Sequence, residues 1–228
     1  MLEYVDQVAD LFRKYIDEDD DSGFISSADV ATYLSLGYNQ FREKVSRYDR
    51  EFYSTNQVVN VASSNQIDLV AEGLAGPAAG ADRISRLLSI SSPHPVTGEP
   101  MDFLVPVGGP GNQAMHGALG YYLKQRQIIL TATHSGNLRI DYVPVSAVDW
   151  SRLDSGDNEW IDELVEYHDM IALMAYAQYA IRDGRESNEI NKQIIFRTND
   201  LAEYLGSGRD MNANKQMISV PDAIGYYL

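Results

Sequence analysis

Ile128-Ile129-Leu130-Thr131-Ala132-Thr133-His134-Ser135-Gly136-Asn137-Leu138-Arg139-Ile140-Asp141-Tyr142-Val143 reads as two short strands, Ile128–Thr133 and Asn137–Val143, with a hairpin turn at His134-Ser135-Gly136. Around this pair, residues 82–136 are punctuated by Pro93-His94-Pro95, Gly98-Glu99-Pro100 and Gly108-Gly109-Pro110-Gly111, which predicts a small β-rich lobe built of hairpins. Further upstream, Ile67–Ala71 reads as a strand. Residues 54–66, rich in Ser and Asn, read as a turn or short extended piece, and Glu72–Ala81, dominated by Gly, Ala and Pro, as a loop.

The flanks are helical in pattern. Leu2, Val5, Ala9, Phe12 and Ile16 recur at spacings of three and four and predict a helix over 2–17, ended by the acidic run Asp17–Asp21 and Ser22-Gly23. A second helix starts at Ser26 or Ser27, where Ser26 and Asp29 resemble a capping box, and carries the stripe Val30, Leu34, Tyr38, Phe41, Val45, Tyr48 and Phe52. After Pro144 a third helix is predicted over Trp160–Arg182 and stopped by Asp183-Gly184. A fourth is predicted over Glu186–Tyr204, with Ile190, Ile194, Leu201 and Leu205 inward, ending at Gly206-Ser207-Gly208. The last twenty residues have no helical period and form an apolar tail with nothing of its own to pack on. The expected fold is therefore mainly α with an inserted β-rich lobe (α+β). Residues 1–53 form an N-terminal helical hairpin, 54–145 the lobe with its small antiparallel β region, 146–206 a second helical hairpin completing a four-helix core, and 207–228 an extended C-terminal arm.

Composition narrows the function. The chain has 228 residues, 33 acidic against 18 basic, a formal charge of -15 and no cysteine. Thiolate metal sites and thiol catalysis are excluded by the missing cysteine, and tight phosphate-neutralising nucleic-acid binding is disfavoured by the charge. No apolar stretch approaches the roughly 20 residues of a membrane-spanning helix, and Met1-Leu2-Glu3-Tyr4 lacks the pattern of a signal peptide.

Motif chemistry is sparse. Glu18 to Asp29 resembles an EF-hand loop, with Gly23 at the turn, Ile25 at the aliphatic position, and oxygens from Glu18, Asp20, Ser22, the Phe24 carbonyl and Asp29. It departs from that pattern by starting with Glu, ending with Asp and standing alone where EF-hands commonly pair, so the residues read first as a solvated acidic turn between helices, with Ser26 as N-cap, rather than as a metal site. The Gly108–Gln113 segment lacks the Gly-Lys-Ser/Thr of a P-loop, and His94, His116, His134 and His168 show no metal-ligand spacing. No Gly-x-Ser-x-Gly occurs, and no two carboxylates are marked out as a pair, so an enzyme is not expected. Fifteen tyrosines, among them Tyr33, Tyr38, Tyr48, Tyr121-Tyr122 and Tyr226-Tyr227, suit half-wet contacts at subunit interfaces as well as partly exposed core.

The acidic-glycine turn leading into Phe24-Ile25-Ser26-Ser27-Ala28-Asp29-Val30, with its tyrosine-rich helix, resembles head-to-tail adaptor proteins of tailed bacteriophages. So do Tyr121-Tyr122-Leu123, Ile128-Ile129-Leu130, Leu138-Arg139-Ile140-Asp141-Tyr142-Val143-Pro144, and the helix starting near Trp160-Ile161-Asp162-Glu163 with His168 behind it. The resemblance covers about residues 2–50 and 120–205. It implies a structural virion protein of the neck, without cofactor or metal, forming a ring, usually of twelve subunits, below the portal. Such a ring extends the DNA channel and docks tail or nozzle proteins. DNA passes it without specific binding, and acidic side chains facing the channel would repel the phosphates. The resemblance also implies a C-terminal arm that reaches the portal protein, here through Met217, Ile218, Val220, Pro221, Ile224, Tyr226, Tyr227 and Leu228, docked along a sheet edge or in a groove. Two alternatives stand beside it: a calcium-binding helix–loop–helix module, and a tail-completion or stopper protein of the same neck region.

Overall fold

A computed structural model describes residues 2–16, 25–76, 80, 83–109, 119–146, 148–153, 159–185 and 188–212, with side chains in the last segment to 206. The chain divides into two units, Met1–Arg50 with Val148–Leu228, and Glu51–Ala147.

The first unit holds the helices α1 (Val5–Tyr15), α2 (Ser27–Tyr48), α3 (Asp169–Asp183) and α4 (Asn188–Asn212). Gln7 Oε1 accepts from the backbone N–H of Glu3 at 2.8 Å and of Tyr4 at 3.4 Å, which serves two donors at the entry to α1. Ser26 caps α2. Its hydroxyl accepts from the Asp29 amide at 3.2 Å and donates to the Asp29 carboxylate at 2.7 Å. Ser26→Ala is accordingly expected to cost about 1 kcal/mol in urea unfolding, and Ser26→Gly only a few tenths. Ser26→Ala unfolding at the parent's urea midpoint would show that the hydroxyl does not cap the helix.

The helices do not pair as two hairpins. The most extensive contact is α2 on α3, and both of these helices also touch α1 and α4, α3 more extensively than α2. Gly37 permits this approach: a Cβ there would lie 2.5 Å from the Ile171 carbonyl oxygen and 2.9 Å from the Ala175 nitrogen. α3 is buried nearly all round, from Met170 through Met174 to Ala180, and stops at Gly184, whose φ of +68° is left-handed. α3 starts later than its sequence pattern predicts. Residues 160–164 are not helical, Trp160 forms a bridge with Tyr4, and a single 3₁₀ turn covers Val165–Tyr167. The Asp162 carboxylate takes the Leu164 amide at 2.9 Å, a local bond that competes with helix formation. α4 continues through Gly206 to Asn212, beyond the predicted stop. Glycine weakens a helix but does not forbid it.

The second unit is a six-stranded mixed sheet: β1 (Thr55–Asp68), β2 (Ile84–Pro93), β3 (Pro100–Phe103), β4 (Val105–Pro106), β5 (Gly120–Lys124) and β6 (Gln127–Pro144). β6 is its spine. β1 runs antiparallel along one side of β6, from Thr55 opposite Tyr142 to Asp68 opposite Gln127. On the other side β5 pairs with the first end of β6, and β2 with the last. β3 pairs with β2, and β4, one residue later, joins β5 in parallel, so residues 100–106 draw the sheet into a nearly closed barrel. Val59, Val61, Ile67, Ile90, Leu104, Ile128, Leu138 and Ile140 form its core.

These strands overturn the expectation of a mainly α chain with a four-helix core and a small β region. The fold is α+β, with 42% helix and 31% strand among the described residues. Two misreadings account for the difference. His134-Ser135-Gly136 is not a turn but a bulge inside one 18-residue strand, where the register to β1 slips between Val61/Gly136, Ser64/His134 and Gln66/Ile129. Gly136 at φ +131° and Ser63 at φ +50° take up the kink on the two strands. Residues 55–66 are no turn either. They belong to a 14-residue strand whose Val59 and Val61 face the core while Asn, Gln and Ser face water, and pairing with β6 overrides their low strand propensity. The predicted strand Ile67–Ala71 is the end of β1 followed by a turn, closed by the Leu74 amide on the Leu69 carbonyl at 2.7 Å.

Candidate functional site

The helical unit contains a buried polar cluster that looks catalytic at first sight. His168, fully buried, places Nε2 2.7 Å from Asp162 Oδ1 and Nδ1 2.6 Å from the Leu2 carbonyl oxygen. Tyr38 donates its hydroxyl to the other Asp162 oxygen at 3.1 Å. Both ring nitrogens therefore face oxygen atoms within hydrogen-bond distance, one on the backbone and one on a side chain. No substrate can reach the cluster, because Asp162 is 5% exposed and Phe41 stacks edge-on against the imidazole at 6.2 Å. Its role is to tie the segment before α1 to the start of α3. Sequence spacing could not find it, since Tyr38 and Asp162 lie 124 positions apart.

The second arrangement is on α4. Arg197 is held by the Asp169 carboxylate through two bonds, at 2.9 and 2.7 Å, and its guanidinium lies 5.0 Å from the Tyr167 ring centroid. This clamp fixes α4 to the start of α3 while Leu201 and Leu205 face inward. With the helix so held, Ile195 and Phe196 remain 62% and 65% exposed, and Tyr204, one ring contact from Tyr167, is 53% exposed. Phe196 borders an open groove of about 430 Å³ with Tyr15, Leu173, Gln193 and the Asp169–Arg197 pair. Burial and then the Asp169 charge push the Tyr15 phenol up from its ordinary pKa. Glu189 and Lys192 line the same groove, and exposed aromatic and apolar side chains beside charged ones suit the binding of another macromolecule.

The arm residues Met217, Ile218, Val220, Pro221, Ile224, Tyr226, Tyr227 and Leu228 lie outside the described residues, as do Glu18, Asp20, Ser22 and Phe24 of the acidic loop and His116. Asp29 is engaged by Ser26 in the first turn of α2. Among the described residues no three His, Asp or Glu side chains gather in a way that could hold a metal ion. His94 Nδ1 accepts from the Val96 and Thr97 amides at 3.2 and 3.1 Å in the tip before β3, a structural use. Tyr33, Tyr38 and Tyr121 are core residues, and Tyr48 is partly exposed.

No protein-family model matches this chain, and no match is found among curated proteins.

Proposed function

We propose that this chain is a head-to-tail adaptor of a tailed bacteriophage, a non-enzymatic ring subunit that attaches to the portal, extends the DNA channel and docks tail components. The observation that carries the reading is the α4 surface. Ile195, Phe196 and Tyr204 stay exposed on a helix otherwise anchored by Arg197, and that helix leads into the apolar segment from Met217 to Leu228. Isolated apolar side chains on a surface need no explanation, but large ones gathered on one helix with an apolar continuation suit a partner interface. The sequence pattern shared with adaptors and the surplus of acidic residues, which lets DNA slide past, support the same reading.

The test is mass by light scattering, for the chain alone and mixed with a candidate portal ring. Attachment at one copy per portal subunit is expected. Removing residues 213–228 should leave the melting transition of the remaining chain in place and abolish attachment. A chain that ignores the portal but melts higher in millimolar calcium would instead favour the helix–loop–helix alternative.

A further inference from the structure

Of the two tryptophans, Trp150 is 5% exposed and Trp160 is 49% exposed. Trp160 is also held rigidly. It forms a bridge with Tyr4, and the flanking backbone bonds Val5 N–H to Glu159 O (3.0 Å) and Ile161 N–H to Glu3 O (3.3 Å) pin the segment to the start of α1. Glu3, Glu159 and Glu163 stand around it in sequence and pairing. A large ring presented on fixed backbone among carboxylates has the character of an interface anchor, since tryptophan is enriched among the residues that dominate binding energy.

The β unit carries the complement. Between the turn after β1, the start of β2 and the β5–β6 turn lies an open hollow of about 430 Å³, floored by Leu69, Leu74, Ile84 and Leu87 and rimmed by Arg83 and Arg126. This volume lies in the range of roughly 300–1,000 Å³ that accepts ligand-sized groups. Neither guanidinium has an ion-pair partner among the described residues. Arg126 Nη1 lies 3.9 Å from where a Cβ on Gly76 would stand, and Gly76, at φ +81°, keeps the backbone low beside it. The charge is divided accordingly. Glu51–Ala147 holds 7 of the 33 acidic and 5 of the 18 basic residues, a net of -2 within the total of -15. Four of those five cations, Arg83, Arg86, Lys124 and Arg126, fall on the two segments that bracket the hollow.

We propose that the hollow rimmed by Arg83 and Arg126 receives Trp160 and its flanking carboxylates from a second copy of this chain. The indole would cover the leucine floor, an arginine would stack on its face, and the carboxylates would pair with the rim. Anchor and receptor are different patches, so the contact is heterologous and can be repeated from copy to copy into a ring or an open chain. The inference rests on the adaptor reading for its ring, and it names the side chains that would join the subunits.

The experiment uses two full-length variants, Trp160→Ala, which lacks the anchor, and Arg83→Glu/Arg126→Glu, which lacks the receptor, in sedimentation equilibrium. The parent should associate with rising concentration. Each variant alone should stay monomeric with unchanged circular dichroism, the loss of Trp160 weakening association by roughly 30-fold or more. Mixed together, the two variants should form dimers and nothing larger, because each keeps one complementary half. Arg126→Gln replaces the double variant if that fails to fold. A parent that stays monomeric at all concentrations, variants that associate like the parent, or a mixture that stays monomeric would each overturn the contact. Portal binding separates this outcome from the adaptor reading. Trp160→Ala copies that still close a ring on the portal refute the contact alone, whereas copies that associate through Trp160 and ignore the portal refute the adaptor alone.

Discussion

Gly37→Leu is expected to destroy the folded helical unit, the largest effect of any single substitution argued from this fold. A Cβ at position 37 would meet backbone atoms of α3, the Ile171 oxygen at 2.5 Å and the Ala175 nitrogen at 2.9 Å, and neither can rotate away as a side-chain tip could. α2 and α3 would have to separate, and α3 is the helix on which α1 and α4 also rest. Even Gly37→Ala should cost on the order of 1–3 kcal/mol, as overpacking of a close-packed interior does, and the bulkier leucine should exceed the few kcal/mol that hold a typical domain together. The gain in helix propensity from glycine to alanine, about 1 kcal/mol, works in the opposite direction and is outweighed. Circular dichroism and urea unfolding measure this directly. If Gly37→Leu unfolds within about 1 kcal/mol of the parent, the close crossing of α2 and α3 is wrong.

Next in size is the His168–Asp162 pair. His168→Ala takes the imidazole away from the buried Asp162 carboxylate, which the Tyr38 hydroxyl and the Leu164 amide also contact, and Asp162→Ala takes the carboxylate away from the buried imidazole, whose other nitrogen faces the Leu2 carbonyl. Breaking a buried pair by removing one partner typically costs about 3–5 kcal/mol, because the remaining group keeps its desolvation penalty without its compensation. Replacing both, as in Asp162→Leu with His168→Met, removes the penalty along with the bond and should lie much closer to the parent than the two losses added. A double-mutant cycle in urea is the measurement. Additive losses would mean that the two side chains are not coupled and that the cluster does not tie residues 2–4 to α3.

These two sites differ in how far the amino-acid pattern exposes them. The stripe from Val30 to Val45 announces α2, and the cap at Ser26 and the stop at Gly184 are visible because each acts on amides or dihedrals within four residues. Leu201 and Leu205 point inward in α4 as their spacing requires. Nothing in the run around residue 37 shows that its glycine is a crossing point rather than a weak spot in a helix. His168 reads simply as a histidine in a helical pattern, and the oxygens facing its two nitrogens come from Leu2 and Asp162. Of the proposed interface, Trp160 reads as a helix residue. Its exposure appears only once Asp162 has taken the Leu164 amide and the helix has been delayed to Asp169.

The sheet shows the same limit more sharply. His134-Ser135-Gly136 and the Ser–Asn-rich stretch 54–66 carry real turn chemistry, and a chain read one window at a time has reason to fold back at both. They become two long strands because each supplies the other's backbone partners across some 70 to 90 positions, from Val61 opposite Gly136 to Thr55 opposite Tyr142. Helix ends, charge, the absence of thiol chemistry and the acidic character follow from the amino-acid order alone, because the interactions behind them are local or additive. Strand pairing, the α2–α3 crossing, the sealed His168–Asp162 pair and the exposed Trp160 arise only when distant segments compete for the same hydrogen bonds and the same volume, and tertiary packing settles that competition.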